Sequence, residues 1–83
     1  MTEVEYSDRA AEQLEGLEQE IAERIVSKLD EIVWKPDHYL KRLQDSPYYR
    51  LRVGNYRVII DWQRDEDVLF VRRVGHRRNI YDD

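Results

Sequence analysis

Cysteine is absent from these 83 residues, which excludes both a disulfide framework and a thiolate metal site. The folded state must rest on packing alone, which suits a reducing cytoplasm. Glycine occurs three times, as the isolated Gly16, Gly54 and Gly75, so no Gly-rich loop is available to cradle a phosphate. With two prolines and no low-complexity tract, no stretch has the composition of a linker. No apolar run approaches transmembrane length, and the N-terminus lacks a basic-then-apolar leader. These absences lead to the expectation of a soluble cytoplasmic chain with no membrane partner. Histidine is also scarce, at two residues. His38 lies beside Pro36 and Asp37 and is read as structural, and no spacing of Asp, Glu and His resembles a metal site, so no metal or cofactor is expected. Ser46, the single serine near the expected sheet, has no His–Asp set close by in sequence, which argues against a serine hydrolase.

What is present is enough for one domain, taken as 1–83, near the size at which a single core is marginally sufficient. A hydrophobic share of 41% and an aromatic share of 11% supply that core. The net charge of −4 conceals a strong asymmetry. Residues 1–34 carry ten acidic and three basic side chains, a balance of −7, whereas residues 35–83 carry eight and eleven, a balance of +3. Local field steers an anionic ligand, so the second half sets the expectation of a negatively charged partner. Arginine outnumbers lysine eleven to three, which favours bidentate phosphate contacts, although a GC-rich genome accounts for that bias equally well and an acidic outer surface is also common in salt-adapted organisms.

Val4 and Tyr6 alternate with Glu3 and Glu5 in the manner of a short strand. Ser7 and Asp8 are suited to capping a helix start. Ala10, Ala11, Leu14, Leu17, Ile21, Ile25, Leu29, Ile32 and Val33 recur every three or four residues, an amphipathic stripe. Gly16 is expected to split it into a helical hairpin, and Pro36 to stop the second helix. Residues 37–47 read as loop or a single helical turn, with Leu40 and Leu43 directed inward. Tyr49 to Val53 and Tyr56 to Ile60 then form two strands joined by Gly54-Asn55, a dipeptide suited to a tight turn. The polar turn Arg64-Asp65-Glu66-Asp67 leads to a last strand, Val68 to Val74. This order predicts an α+β fold: a short N-terminal strand, a helical hairpin, then a three-stranded antiparallel meander, with the helices on one face of the sheet.

The hairpin turn fixes the register as Val53 opposite Tyr56, Arg52 opposite Arg57 and Leu51 opposite Val58. Leu51, Val53, Tyr56, Val58, Ile60 and Trp62 then share the helix-facing side, and Arg50, Arg52 and Arg57 share the other. Like charges placed opposite each other repel, so the cluster invites an anion. A solvated strand face neutralised by Asp61 and Asp45 fits the charge pattern as well. A second constellation, Gly75-His76-Arg77-Arg78-Asn79-Ile80-Tyr81, follows the last strand. His76 suits proton transfer, Arg77 suits charge stabilisation, and Tyr81 suits base stacking or a proton relay. A tail that patches the core with Ile80 and Tyr81 fits the same residues. Trp34 and Trp62 are read as core or interface packing.

Taken together, the element order, the stretches Leu40-Lys41-Arg42-Leu43 and Tyr49 to Ile59, and the ending Val74-Gly75-His76-Arg77-Arg78-Asn79-Ile80-Tyr81 resemble the RelE/ParE toxin superfamily of bacterial and archaeal type II toxin–antitoxin modules. The resemblance runs from about Val4 to Tyr81, and the ending is more similar to the RelE branch than to ParE-type gyrase inhibitors. It implies a metal-independent endoribonuclease that cuts messenger RNA in the ribosomal A site, in contact with ribosomal RNA and neutralised by a RelB-like antitoxin. The implied mechanism is attack of a ribose 2′-hydroxyl on the adjacent phosphate. Carried over by motif, Arg50, Arg52 and Arg78 bind RNA phosphates, Arg57 contacts the scissile phosphate, and Arg77 stabilises the transition state. Tyr81 stacks on a base or relays a proton. Because arginine is a poor base, His76 and Tyr81 are the expected proton carriers. The chain departs from some active relatives at Tyr48, where they carry a further basic residue. A ParE-like gyrase inhibitor and a catalytically inactive antitoxin-binding module are the alternative expectations.

Overall fold

Ser7 marks the point where an extended segment becomes a helix. Its backbone is extended at φ −69° and ψ 160°, and its hydroxyl oxygen accepts the Ala10 N–H at 3.0 Å, which satisfies one of the amides a helix start leaves without a partner. The same hydroxyl donates to the Arg72 carbonyl at 2.8 Å, tying the helix start to the sheet. The structure, a computed structural model, describes residues 2–80. Strand β1 spans Glu3–Tyr6, helix α1 Asp8–Glu15, helix α2 Gln19–Ile32 and the single turn α3 Pro36–Tyr39. Strands β2 Lys41–Arg42, β3 Tyr49–Val53, β4 Tyr56–Gln63 and β5 Val68–His76 complete the order. Gly16 ends α1 as expected, its N–H bonded to the Glu12 carbonyl at 3.1 Å.

The strands form one sheet in the order β1-β5-β4-β3-β2, with β1 parallel to β5 and every other pair antiparallel. The fold class is the α+β arrangement expected, with two differences in the sheet. The two-residue β2 pairs Lys41 with Arg50 and Arg42 with Tyr49, so the meander gains a fourth strand. A two-residue ladder has no period to read; tertiary pairing creates it, and Leu43 N–H to the Tyr48 carbonyl at 3.0 Å closes it. The last strand also runs two residues past Val74 to include Gly75 and His76.

The helical stripe packs on one face. Ile25, Leu29 and Ile32 of α2 and Ala10 of α1 have no exposed surface, and they meet Leu51, Val53, Val58, Ile60, Leu69, Val71 and Val74 from the sheet. At about 1.5–3 kcal/mol for each fully buried Ile or Leu, this layer is the main stabilising term. Tyr56 and Trp62 pack against it from the side expected of them, and Leu40 joins it. Leu43 does not. One strand step beyond Arg42, it comes out on the opposite face of the sheet, where it lines a groove. Trp34 lies outside the core altogether, at 73% exposure.

Candidate functional site

The hairpin register is the expected one: Val53 pairs with Tyr56, Arg52 with Arg57 and Leu51 with Val58. In the turn only Gly54 has positive φ, at 57°, the arrangement in which glycine is needed at the first of two turn positions. On the side of the sheet away from the helices, two rows of residues cross the strands. One row runs Arg52, Arg57, Gly75, and the other Lys41, Arg50, Ile59, Arg73. The arginines expected to cluster do so, and Arg73 joins them.

Their environments differ. Arg52 is exposed and Arg50 half-buried, but Arg57 is only 4% exposed. A buried cation must be hydrogen-bonded to persist, and Arg57 Nη1 donates to the Gly54 carbonyl at 2.8 Å and the Tyr56 carbonyl at 2.9 Å. The guanidinium is thereby fixed to the hairpin turn of its own strand. Arg73 is set into the same face with its Nε and Nη1 atoms buried. An alternating pattern cannot show this, because it treats every outward arginine as solvated.

Which of Arg72 and Arg73 joins the rows is decided by a β-bulge. Ile59 faces Arg73 but Ile60 faces Val71, so Arg72 is an extra residue in β5. Its guanidinium stacks over the Tyr48 ring at 4.3 Å. Two consecutive arginines, both polar, carry no parity signal for such an insertion. Gln13 of α1 accepts the Val74 N–H just beyond the bulge at 2.7 Å.

Past β5 the chain turns back on itself. Arg77 N–H donates to the Asn55 carbonyl at 2.8 Å, and Asn79 N–H to the His76 carbonyl at 2.8 Å. This holds the Arg77 backbone against the hairpin tip, one residue from Gly54, with Arg77 and Arg78 exposed. Ile80 is buried at 2% and packs over Gly75, where its Cδ1 lies 3.5 Å from the position a Cβ would take. Tyr81 lies outside the described residues.

His76 departs from the expected grouping. Being a strand residue paired with Tyr56, it shares Tyr56's side of the sheet. The two rings meet edge to face at 5.5 Å and 76°. Its Nδ1 accepts the Arg78 N–H at 3.2 Å, so the imidazole braces the turn that carries Arg77 and Arg78. The structure does not bring the ring together with Arg52 and Arg57, which project from the other side. The reason is that strand parity extends to His76, a continuation that the glycine and polar residues after Val74 do not signal.

A groove of about 530 Å³ opens on the arginine side. Leu43, Tyr48, Ile59, Arg72 and Ile80 line it, together with Arg9 from α1. Among the described residues, no group of Asp, Glu and His is placed to hold a metal ion. No helix among them is long and apolar enough to cross a membrane.

Comparison with known proteins places this geometry in a family. The family model for the ParE toxin of the type II toxin–antitoxin system parDE matches residues 4–81. Toxin RelE3 of Methanocaldococcus jannaschii is 54% identical over 35 residues, a stretch covering 42% of this chain and 38% of that toxin. Among solved structures, the RelB–RelE antitoxin–toxin complex from Methanococcus jannaschii aligns at 31% identity with a TM-score of 0.72, covering 94% of this chain and 95% of that one. The intact RelBE toxin–antitoxin complex of E. coli aligns at 22% identity with a TM-score of 0.78, covering 92% and 96%; at that identity the likeness is one of fold. With the family model spanning nearly its whole length and an archaeal relative matching end to end, the chain belongs to the RelE/ParE family of type II toxin–antitoxin toxins.

Proposed function

We propose that this toxin is a ribosome-dependent mRNA endoribonuclease, and the observation that carries the reading is the double row of arginines on the sheet face opposite the helices. Cleavage by 2′-hydroxyl attack passes through a phosphorane carrying extra negative charge, which fixed cations stabilise. Arg57, held by two backbone carbonyls, is already oriented for that task, since little further ordering is needed when substrate arrives. Arg50 and Arg52 hold flanking phosphates, and Arg77 closes over the scissile phosphate from the hairpin tip with Arg78 beside it. Because its Nδ1 accepts a backbone N–H, His76 is assigned the positioning of that turn. The proton work then falls to Tyr81 or to groups of the ribosome. The products are a 2′,3′-cyclic phosphate and a 5′-hydroxyl, reached without a metal.

The relatives crystallised with RelB antitoxins support a RelB-like antitoxin as the physiological partner of this chain, which would act in the cytoplasm. A strongly cationic face is also what an antitoxin must mask. Co-purification with the product of the adjacent gene is the expected result, and failure to form a complex would count against this partner.

A second reading, a non-enzymatic ParE-like gyrase inhibitor, is favoured by the family model that matches residues 4–81 and by the placement of the His76 ring. One paired assay separates the two. The purified toxin is added to a translating extract, and separately to a gyrase supercoiling reaction. Fragments with cyclic-phosphate ends that require active ribosomes support the nuclease. Loss of supercoiling with intact mRNA supports the gyrase inhibitor, and neither effect points to a catalytically inactive antitoxin-binding module.

A further inference from the structure

The groove beside the arginine rows is built unlike the rest of that face. Ile59 and Ile80 are buried, at 4% and 2%, yet both lie outside the helix-side core. They form an apolar floor on the opposite side of the sheet, extended by Leu43. One wall is Tyr48 with the Arg72 guanidinium stacked on it at 4.3 Å. That stack exists because the bulge inserts Arg72 into β5. The 43–48 loop forms the rim, turned by Asp45 at φ 56°.

An apolar floor with a cation–aromatic wall is chemistry for a flat, polarisable ring. The volume of about 530 Å³ is in the range of small-molecule sites and ample for one nucleobase with its sugar. The carboxylate of Asp45 at the rim disfavours a phosphate inside the groove. The phosphate has a place next door, since Ile59 in the floor is flanked across the strands by Arg50 and Arg73. We infer that this groove is a nucleobase subsite: it takes one base of a single-stranded RNA whose neighbouring phosphate rests on the arginine rows, and Tyr48 and Arg72 form its stacking wall. The inference deepens the nuclease reading and rests on RNA being the ligand of this face, but not on cleavage.

The test therefore reads binding rather than activity. Methyl-labelled toxin is titrated with a non-cleavable 2′-O-methyl RNA trinucleotide, and in parallel with inorganic phosphate. The trinucleotide is expected to shift the methyl resonances of Ile59, Ile80 and Leu43 while leaving Val58, Leu51 and Ile60 on the helix side in place. Inorganic phosphate is expected to leave all of these methyls unmoved. Tyr48→Ala and, as a milder change, Arg72→Gln should each weaken trinucleotide binding roughly tenfold, the size expected for one lost stacking partner. Binding that leaves the three free-face methyls unmoved, or that is unchanged in both variants, overturns the subsite while leaving the nuclease reading intact. The expected shifts in a toxin that does not cleave mRNA would uphold the subsite and overturn the nuclease reading alone.

Discussion

Arg57 and Arg52 face each other across one hairpin, yet they obey different physics. Arg57 is buried and bonded to two carbonyls of its own turn, so Arg57→Ala removes two charge-assisted hydrogen bonds and the packing of a buried side chain. The expected cost is about 1–3 kcal/mol, read as a lower urea midpoint at unchanged slope. Arg52→Ala at its exposed partner position should change stability by no more than about 0.5 kcal/mol, because it removes a like-charge neighbour and little packing. Equal losses in both variants would contradict the assignment of Arg57 as an anchored cation. A second residue-scale prediction concerns Tyr6. Burial, reinforced by the charge of Asp30, raises its phenol above the ordinary value of 10.0. A group raised on folding stabilises the protein fully below its unfolded value and loses that contribution as pH climbs through the folded one. Stability should therefore fall with pH above about 10, and Tyr6→Phe should flatten that fall in urea titrations spanning that range. At this scale the sequence is legible where pattern and environment agree, as for Leu51, Val58 and Ile60. It is not legible for Arg57, whose burial depends on carbonyls that only the folded turn supplies, nor for Leu43, which one added strand sends to the other face.

Elements are legible in proportion to their length and punctuation. The helical hairpin follows from a stripe broken at Gly16 and capped at Ser7, and the β3–β4 register follows from a two-residue turn. The two-residue β2 and the bulge at Arg72 are hidden because neither leaves a periodic trace. They nonetheless shape the site: β2 adds Lys41 to one row, and the bulge sends Arg72 to Tyr48 while keeping Arg73 opposite Ile59. The turn itself offers a test. Gly54 sits at φ +57°, and a Cβ there would meet the Arg24 guanidinium at 3.4 Å. Gly54→Ala should cost about 1–2 kcal/mol from the left-handed backbone alone, seen as a melting temperature lower by roughly 4–16 °C in a domain of this size. An unchanged melting temperature would mean the turn can adopt another form without disturbing Arg57.

The whole molecule separates two jobs by face. Helices α1 and α2 cover one side of the sheet and carry most of the acidic residues of the first half, while arginines from β3, β4 and β5 gather on the other side. The acidic excess of residues 1–34 therefore repels polyanions from the structural side and leaves the arginine side as the approach. This charge asymmetry is legible from the order of residues alone. Which cations share a surface is only partly legible there, since it depends on the bulge and the extended last strand. The proposed activity of this face, with Arg77 at the hairpin tip, is cleavage of mRNA on the ribosome. Primer extension on a defined message in a translating extract, comparing wild type with Arg77→Ala, is the decisive measurement. Arg77 is exposed, so the variant should fold. Wild type is expected to give cuts within codons, dependent on active ribosomes and reduced on the order of a hundredfold or more by the substitution, as expected when a charged transition-state contact is lost. Cuts of equal strength with both proteins, or an intact message with wild type, would contradict it.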